Sequence, residues 1–240
     1  MDKQTDIKPT NSVNWPSYMS KQACDSIWAQ GKEQTLKSDQ VLNQPSPHFL
    51  IIYVEKGAIN LFSPSSEMES VVGCVITSGQ WAITQLANLP GQQLQLSALF
   101  DSNIKIFEGQ KLLKIQAQHP ELENWITACQ NSCSQQLLRS SLLAMQNKAA
   151  LLAHTLHQLS QEHSDPRHPN RIVITQSQLS ELLGTRRQSI NEILQLFQLR
   201  NILKLGRGRI DILCKESLLN VSELKKEGQQ GGQFSLVDVG

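Results

Sequence analysis

The polar residues best suited to specific recognition in this chain lie close together between Arg187 and Gln195. Arg, Gln and Asn side chains can each form two hydrogen bonds at once with the edge of a guanine or an adenine in the DNA major groove. Arg187, Gln188 and Asn191 are spaced so that they share one face of a helix. A helix that required only solubility would more often carry Lys and Glu pairs. The pattern therefore predicts a helix that contacts DNA bases.

The residues before this segment predict the elements that position it. Thr175 precedes a helical pattern of leucines and is followed three residues later by Gln178, which is the spacing of a capping box. Gly184 ends this first helix. Thr185 is predicted to begin a second helix, again with a Gln, Gln188, three residues later. Two capped helices joined at one glycine predict a helix-turn-helix.

The second helix has apolar residues at helical spacing, namely Ile190, Ile193, Leu194 and Phe197. If these residues face inward, the outward positions are Arg187, Gln188, Asn191, Glu192 and Gln195. Two strand-like segments follow, residues 202–205 and 209–213, with a turn at Gly206-Arg207-Gly208 between them. This hairpin extends the motif to a winged helix.

Basic charge is concentrated in the same region. The 240-residue chain has a net charge of only +1, and its first 120 residues carry nine Lys or Arg and ten Asp or Glu. Residues 171–216 carry eight basic and four acidic side chains, a local net charge of +4. In the wing, Lys204, Arg207 and Arg209 are suited to phosphate contacts. A winged helix used only for protein contacts is the alternative, and this composition disfavours it.

These motifs resemble the C-terminal DNA-binding domain of the Crp/Fnr family of bacterial transcription regulators. The resemblance rests on the Thr-capped helix, the Gly turn, an Arg early in the second helix and the winged hairpin. It implies base contacts from Arg187, Gln188, Asn191 and Glu192. Many members carry an Arg where this chain has Glu192, so we expect its DNA site to differ from the commonest family site.

The full set of predicted DNA-binding residues is Thr175, Thr185, Arg186, Arg187, Gln188, Asn191, Glu192, Gln195, Lys204, Arg207 and Arg209. The resemblance implies double-stranded DNA and a second copy of the chain (a homodimer) as partners, with RNA polymerase as a further candidate. No apolar run approaches the roughly 20 residues of a membrane span, and the first 15 residues lack the apolar segment of a signal peptide. We therefore expect a cytoplasmic protein without a membrane partner.

The N-terminal half contains several short segments rich in strand formers, separated by turn signals. The run from His48 to Phe62 breaks at Glu55-Lys56-Gly57, which predicts a hairpin, and further strands are predicted at residues 71–77, 93–99 and 103–107. Many short strands predict a small β-roll or barrel. This region resembles the jelly-roll sensor domain of the same family, which often holds a cyclic nucleotide. The expected fold class is α+β.

A long helical pattern is predicted from about Pro120 to Met145. Its apolar and small residues recur three or four apart, at Leu122, Ile126, Cys129, Cys133, Leu137 and Ser140, like the seam of a coiled coil. The resemblance implies that this helix forms the dimer interface. The expected divisions are a flexible arm (1–20), a β-roll (21–118), a dimerisation helix (119–146), a winged-helix domain (147–221) and a mobile tail (222–240).

The stretch that matches the cyclic-nucleotide cassette of the family lacks its charged residues. The resemblance implies a Glu for the ribose and, about ten residues on, an Arg for the cyclic phosphate. From Trp81 to Leu99 this chain has no Arg, Lys, Asp or Glu. Lys105, Lys111 and Lys114 follow, and the family's strand order places them away from the pocket. The usual cyclic-nucleotide contacts are therefore expected to be absent, and no cofactor is assigned.

The sequence gives little support for an iron–sulfur cluster, a bound metal ion or haem. Iron–sulfur members of the family use several N-terminal cysteines, whereas this chain has only Cys24 there. Cys129 and Cys133 share a helix face, where packing is favoured and a redox or metal pair is the alternative. The pair His154 and His157 is likewise better explained by packing than by zinc. Haem ligation through Cys74 or His48 stays open.

No catalytic motif is visible, so an enzyme is not expected. The competing class is an effector-binding sensor protein, responding to a cyclic nucleotide, haem or redox change, whose DNA binding is secondary or lost. The basic exposed face of the second helix distinguishes the two classes, because a sensor protein that had lost DNA binding would have no reason to keep this face.

Overall fold

Two antiparallel sheets form the N-terminal half of the protein in a computed structural model, which describes residues 13–42, 48–62, 73–86, 94–162 and 167–223. The strands are β1 Lys32–Leu36, β2 Leu50–Lys56, β3 Ala58–Phe62, β4 Cys74–Thr77, β5 Trp81–Ile83, β6 Gln95–Ala98 and β7 Ser102–Glu108. One sheet has the order β1-β7-β2-β5 and the other the order β4-β3-β6. Helix α1, Lys21–Gln30, precedes the strands, and α2, Gly109–Ile115, follows them.

The chain crosses from one sheet to the other at Gly57. The predicted hairpin over residues 48–62 is wrong, because β2 pairs with β5 and β7 whereas β3 pairs with β4 and β6. Gly57 has a φ of +93°, and a Cβ atom there would collide with the Ser102 hydroxyl oxygen. The chain does turn at Glu55-Lys56-Gly57, as the sequence predicts. The turn leads into the other sheet, however, and does not join two paired strands.

All four tryptophans meet in one aromatic cluster. Trp15 lies with its ring centroid 5.0 Å from that of Trp81, 5.5 Å from that of Trp125 and 6.5 Å from that of Trp28. Trp15 and the buried Val13 pack against the main core of the β-roll. Val13 and Trp15 of the predicted arm therefore pack on the roll, and residues 1–12 lie outside the described residues.

Two helices connect the β-roll to the C-terminal region. Helix α3 covers Glu121–Gln146, and α4 covers Lys148–Leu159. Between them, Asn147 adopts an extended backbone, and its side chain accepts a hydrogen bond from the Ala149 N–H at 2.8 Å. This residue both interrupts the first helix and caps the second.

The predicted seam of α3 faces the chain's own β-roll. Leu122, Cys129 and Cys133 are buried in the core that the roll and α3 share, and Ile126 and Leu137 pack against it. Assigning Leu122, Cys129 and Cys133 to a dimer interface is wrong, because the roll already covers them. The exposed large apolar residues of α3 are instead Leu138, Leu142 and Met145.

The C-terminal region is a winged helix. Its elements are β8 Arg171–Ile172, α5 Gln176–Leu182, α6 Arg187–Leu199, β9 Leu203–Gly206, β10 Arg209–Ile212 and α7 Lys215–Val221. The sheet has the order β8-β10-β9. Its first strand, β8, was not predicted from the sequence. The predicted winged helix-turn-helix and α+β fold class are confirmed. The predicted tail is described only as far as residue 223.

No helix among the described residues is long and apolar enough to cross a membrane.

Two glycines with positive φ allow a matched test of the sheet crossing. Gly57 and Gly79 have φ values of +93° and +80°, but an added Cβ would collide with Ser102 only at Gly57 and would meet open space at Gly79. We expect Gly79→Ala to destabilise the protein by about 1–2 kcal/mol from backbone strain alone. Gly57→Ala should cost a further 1–3 kcal/mol or so from the collision. Urea denaturation followed by circular dichroism measures both, and equal losses would contradict the proposed collision.

Candidate nucleic-acid interface

Helix α6 has one buried and one exposed face. Leu194 and Phe197 are completely inaccessible to solvent, and Ile190 and Ile193 are buried beside them. The predicted contact residues exposed along the other face and its N-terminal end are Arg186, Arg187, Gln188, Glu192 and Gln195. The predicted inward and outward positions of this helix are thus those of the structure, except at Asn191, which is half-buried.

The start of α6 differs from the prediction. Thr175 and Gln178 do form the predicted reciprocal capping box on α5. Gly184 ends the turn with a φ of +55°. However, the N-cap of α6 is Arg186, without a side-chain cap, and the hydroxyl of Thr185 donates instead to the Leu183 carbonyl at 3.1 Å. Thr185 therefore stabilises the turn between the helices rather than the first turn of α6.

Asn191 is half-buried between the two helices of the motif. Its side-chain oxygen accepts a hydrogen bond from the Gln176 amide at 3.0 Å. A bidentate pair with adenine needs both the amide oxygen and the amide nitrogen. The Gln176 contact occupies one of the two acceptor positions of the Asn191 amide oxygen and leaves the other position and the N–H group for a base. Sequence spacing gave no sign of this partner, which is fifteen residues away in the chain.

Gln188 and Glu192 interact along the exposed face. The Gln188 amide donates to the Glu192 carboxylate at 3.1 Å. This contact leaves the amide oxygen of Gln188 available as an acceptor. Glu192 also adds a negative charge to the face that carries Arg187, which would otherwise dominate its electrostatics.

The wing carries three exposed cations. Lys204 and Arg207 are exposed, and the Arg209 side chain is 51% exposed, with its Nε atom 3.9 Å from Asp211. Gln198 of α6 accepts the backbone N–H of Leu205 at 2.9 Å, which ties the wing to the recognition helix. The backbone of β9 next to Lys204 is therefore anchored to α6.

An ion pair closes the base of the wing. Arg171 Nε donates to the Asp211 carboxylate at 2.6 Å, joining β8 to β10. The hydrogen bond from Arg171 holds the pKa of Asp211 below its usual range. Arg171, which counted toward the basic charge of this region, is thus engaged in structure rather than free for phosphate.

The N-terminal turn of α5 faces the β-roll. Thr175 is exposed, but together with Gln178 and Gly208 of the wing it lines a cleft of about 340 Å³ whose opposite wall includes Ser38 and Asp101. The Gln178 amide lies 3.3 Å and 3.4 Å from the two carboxylate oxygens of Asp39. Phosphate contacts at Thr175 would have to be made in this cleft.

Most of the candidate cofactor residues are buried, whereas His48 is exposed. Burial raises the pKa of Cys133 to about 11 and also raises the pKa values of Cys74 and Cys129, so these thiols stay protonated at neutral pH. Burial, with Arg139 nearby, lowers the pKa of His154 to about 4. Among the described residues, no group of three or more His, Cys, Asp and Glu side chains could hold a metal ion.

The cyclic-nucleotide cassette is only partly visible. Residues 87–93, in the middle of the uncharged stretch 81–99, lie outside the described residues. Two of the neighbouring lysines form ion pairs, and the third, Lys114, is exposed on α2. Lys105 lies 3.2 Å from Glu33 and 4.5 Å from the Trp28 ring centroid, and Lys111 lies 3.1 Å from Glu108.

Comparison with known families places the C-terminal region in a defined class. Residues 152–221 match the Crp-like helix-turn-helix domain, a match that includes all eleven predicted contact residues. None of the curated proteins compared matches the sequence.

Solved structures extend the likeness to most of the chain. FixK2 from Bradyrhizobium japonicum is 14% identical with a TM-score of 0.64, covering 82% of this chain and 99% of that one. A Crp/Fnr-family transcriptional regulator from Thermus thermophilus is 18% identical with a TM-score of 0.57, covering 81% and 100%. The C-terminal region is a Crp-like helix-turn-helix domain, and the chain has the fold of Crp/Fnr transcription regulators, which confirms the resemblance.

Proposed function

We propose that this protein is a sequence-specific DNA-binding regulator of transcription that binds as a homodimer with α6 in the major groove. The observation that carries the proposal is the exposed face of α6, where Arg187, Gln188, Glu192 and Gln195 lie opposite a fully buried apolar face. Such a regulator works where the bacterial chromosome is, in the cytoplasm, and would act there through RNA polymerase.

Each contact residue has a distinct role in this proposal. Arg187 supplies a bidentate donor for guanine, and Gln188 supplies its amide oxygen as an acceptor and, as a donor, the N–H that does not bind Glu192. Asn191 supplies its N–H group and the remaining acceptor position of its amide oxygen. Lys204, Arg207 and Arg209 contact phosphates and contribute affinity without sequence preference.

Removing Arg187 should separate specific from non-specific binding. We expect Arg187→Ala to weaken binding to a selected oligonucleotide by about 1–3 kcal/mol, with little effect on random DNA. Arg207→Ala should weaken both alike and reduce the salt dependence. Lys21→Ala, which removes one exposed charge from α1, is the control and should change neither. Electrophoretic mobility shifts at several salt concentrations measure these effects, and unchanged specific binding by Arg187→Ala would rule out the assigned role of α6.

The dimer interface that we propose lies on the exposed face of α3. Residues on this face follow a heptad spacing of four and three, at Asn124, Ala128, Asn131, Gln135, Leu138, Leu142 and Met145. Leu138 is 60% exposed and Met145 is 85% exposed. Apolar side chains at such positions favour pairing with a second helix, and the last two turns carry most of the apolar surface.

A charge in this seam should dissociate the dimer. We expect Leu138→Glu to give a monomer at micromolar concentration, because two carboxylates would face each other across the interface. Leu213→Glu makes the same change at a residue of the winged helix that is 57% exposed, and it should leave the dimer intact. Light scattering of the purified proteins measures both. A wild-type protein that is monomeric with and without DNA would refute the proposed dimer.

We further propose that the N-terminal domain does not bind a cyclic nucleotide through the usual contacts. The support is the absence of any charged residue from 81 to 99, together with the engagement of Lys105 and Lys111 in ion pairs. A phosphate buried without a cation would lose a strong charge-assisted interaction.

Calorimetric titration tests the cyclic-nucleotide proposal directly. Cyclic AMP and cyclic GMP should give no saturable heat at micromolar concentrations, because residues 81–99 contain no cation for the phosphate. The non-cyclic 5′-monophosphates serve as the control for non-specific heat. A dissociation constant in the low micromolar range for either cyclic nucleotide would contradict the proposal.

A further inference from the structure

Glu192 is the one acidic residue of α6, and its side chain is exposed on the face proposed to contact DNA. Its carboxylate accepts a hydrogen bond from the Gln188 amide at 3.1 Å and takes part in no ion pair with the residues that the structure describes. An ionised carboxylate near DNA phosphates opposes binding, because like charges repel. If Glu192 contributes to DNA binding, an offsetting contact must therefore come from the bases.

Two kinds of group on the bases can donate a hydrogen bond to a carboxylate in the major groove. They are the amino groups of adenine, at N6, and of cytosine, at N4. The adenine amino group lies between two acceptors, its own N7 and the O4 of the paired thymine, and both would repel the carboxylate. The cytosine amino group has an acceptor, the O6 of guanine, on one side only. A carboxylate on a recognition helix is therefore accommodated best at a cytosine.

Gln188 limits the directions in which the Glu192 carboxylate can point. The two residues are four positions apart on α6, and one N–H of the Gln188 amide binds one carboxylate oxygen. An ionised carboxylate has about four acceptor positions, so the others stay available for a base. Gln188 is thus a positioning residue for Glu192, in addition to the base contact proposed for it above.

We propose that Glu192 is a specificity-determining residue that accepts a hydrogen bond from the amino group of a cytosine in the DNA half-site. The inference rests on the DNA-binding function proposed above. Arg187 and Glu192 are five positions apart in the chain. This spacing is about 7.5 Å along the helix axis, so the cytosine should lie roughly two base pairs from the guanine that Arg187 contacts.

Removal of the carboxylate should abolish the preference for one base pair. Sites are first selected for the wild-type protein from random oligonucleotides, and the base pair at each selected position is then exchanged. We expect one C·G pair to be preferred at least about fivefold over the other three base pairs by the wild type, and less than about twofold by Glu192→Ala. Glu181→Ala removes the same charge from an exposed position on α5 and should keep every preference.

Replacement of that cytosine by an analogue without the amino group tests the hydrogen bond itself. The wild type should bind the analogue at least about fivefold more weakly than the natural site, whereas Glu192→Ala should bind both equally. Gln188→Ala should reduce this difference in the wild type and have no further effect on it in Glu192→Ala. Equal losses of affinity in the wild type and in Glu192→Ala would overturn the inference.

Glu192→Gln provides a second variant that keeps the size of the side chain. It should accept an A·T pair at the same position, because Gln can form two hydrogen bonds with adenine. Both variants should fold, since Glu192 is exposed and Ala and Gln are good helix formers. Circular dichroism checks this point.

The outcomes separate this inference from the proposed function. Base preferences that Glu192→Ala leaves unchanged, or a Glu192-dependent preference for an A·T pair, would overturn the role of Glu192 alone. Stronger binding of Glu192→Ala to all sequences alike would also overturn it, because the carboxylate would then only repel DNA. A wild-type protein that selects no sequence would overturn the proposed function and this inference together.

Discussion

Burial of the apolar face of α6 is the constraint on which the proposed DNA-binding surface depends. Leu194 and Phe197 are completely inaccessible, and each such side chain contributes about 1.5–3 kcal/mol relative to an exposed one. Successive residues of a helix are about 100° apart, so a shift of one position would move Arg187 away from the exposed face. Packing of the apolar face against the core therefore determines which α6 side chains are exposed to solvent. The hydrogen bond between Gln198 and the wing anchors the wing to the same helix.

Local signals in the sequence predicted the C-terminal domain well because its elements are specified by neighbours in the chain. The capping box at Thr175 and the left-handed Gly184 depend on residues within one turn of helix. The prediction failed at Thr185, where the hydroxyl has a competing acceptor in the turn, the Leu183 carbonyl. The polar partners of the recognition face, such as Gln176 for Asn191, also escaped prediction because they lie on the other helix.

Predictions that needed distant partners fared worse. The turn at Gly57 was recognised, but spacing cannot show that β2 pairs with β7 rather than with the next strand. The seam of α3 was assigned to the wrong partner for a similar reason. Two faces of this helix have spacings of three and four residues, and only the folded roll shows that Cys129 and Cys133 are covered within the same chain. Glu162 accepts hydrogen bonds from Ser78 and Gly57, which lie 84 and 105 positions away in the chain, and no sequence pattern marks these contacts.

The gathering of all four tryptophans in one cluster has a consequence for spectroscopy. Trp15, Trp28, Trp81 and Trp125 all belong to the β-roll and the start of α3, and the winged helix contains none. Ring centroids 5.0–6.5 Å apart place the indoles within range of efficient excitation exchange. Intrinsic tryptophan emission thus reports on the N-terminal domain as a whole and does not detect unfolding of the winged helix. Far-ultraviolet dichroism sees both domains, so the two signals together distinguish their unfolding transitions without any added label.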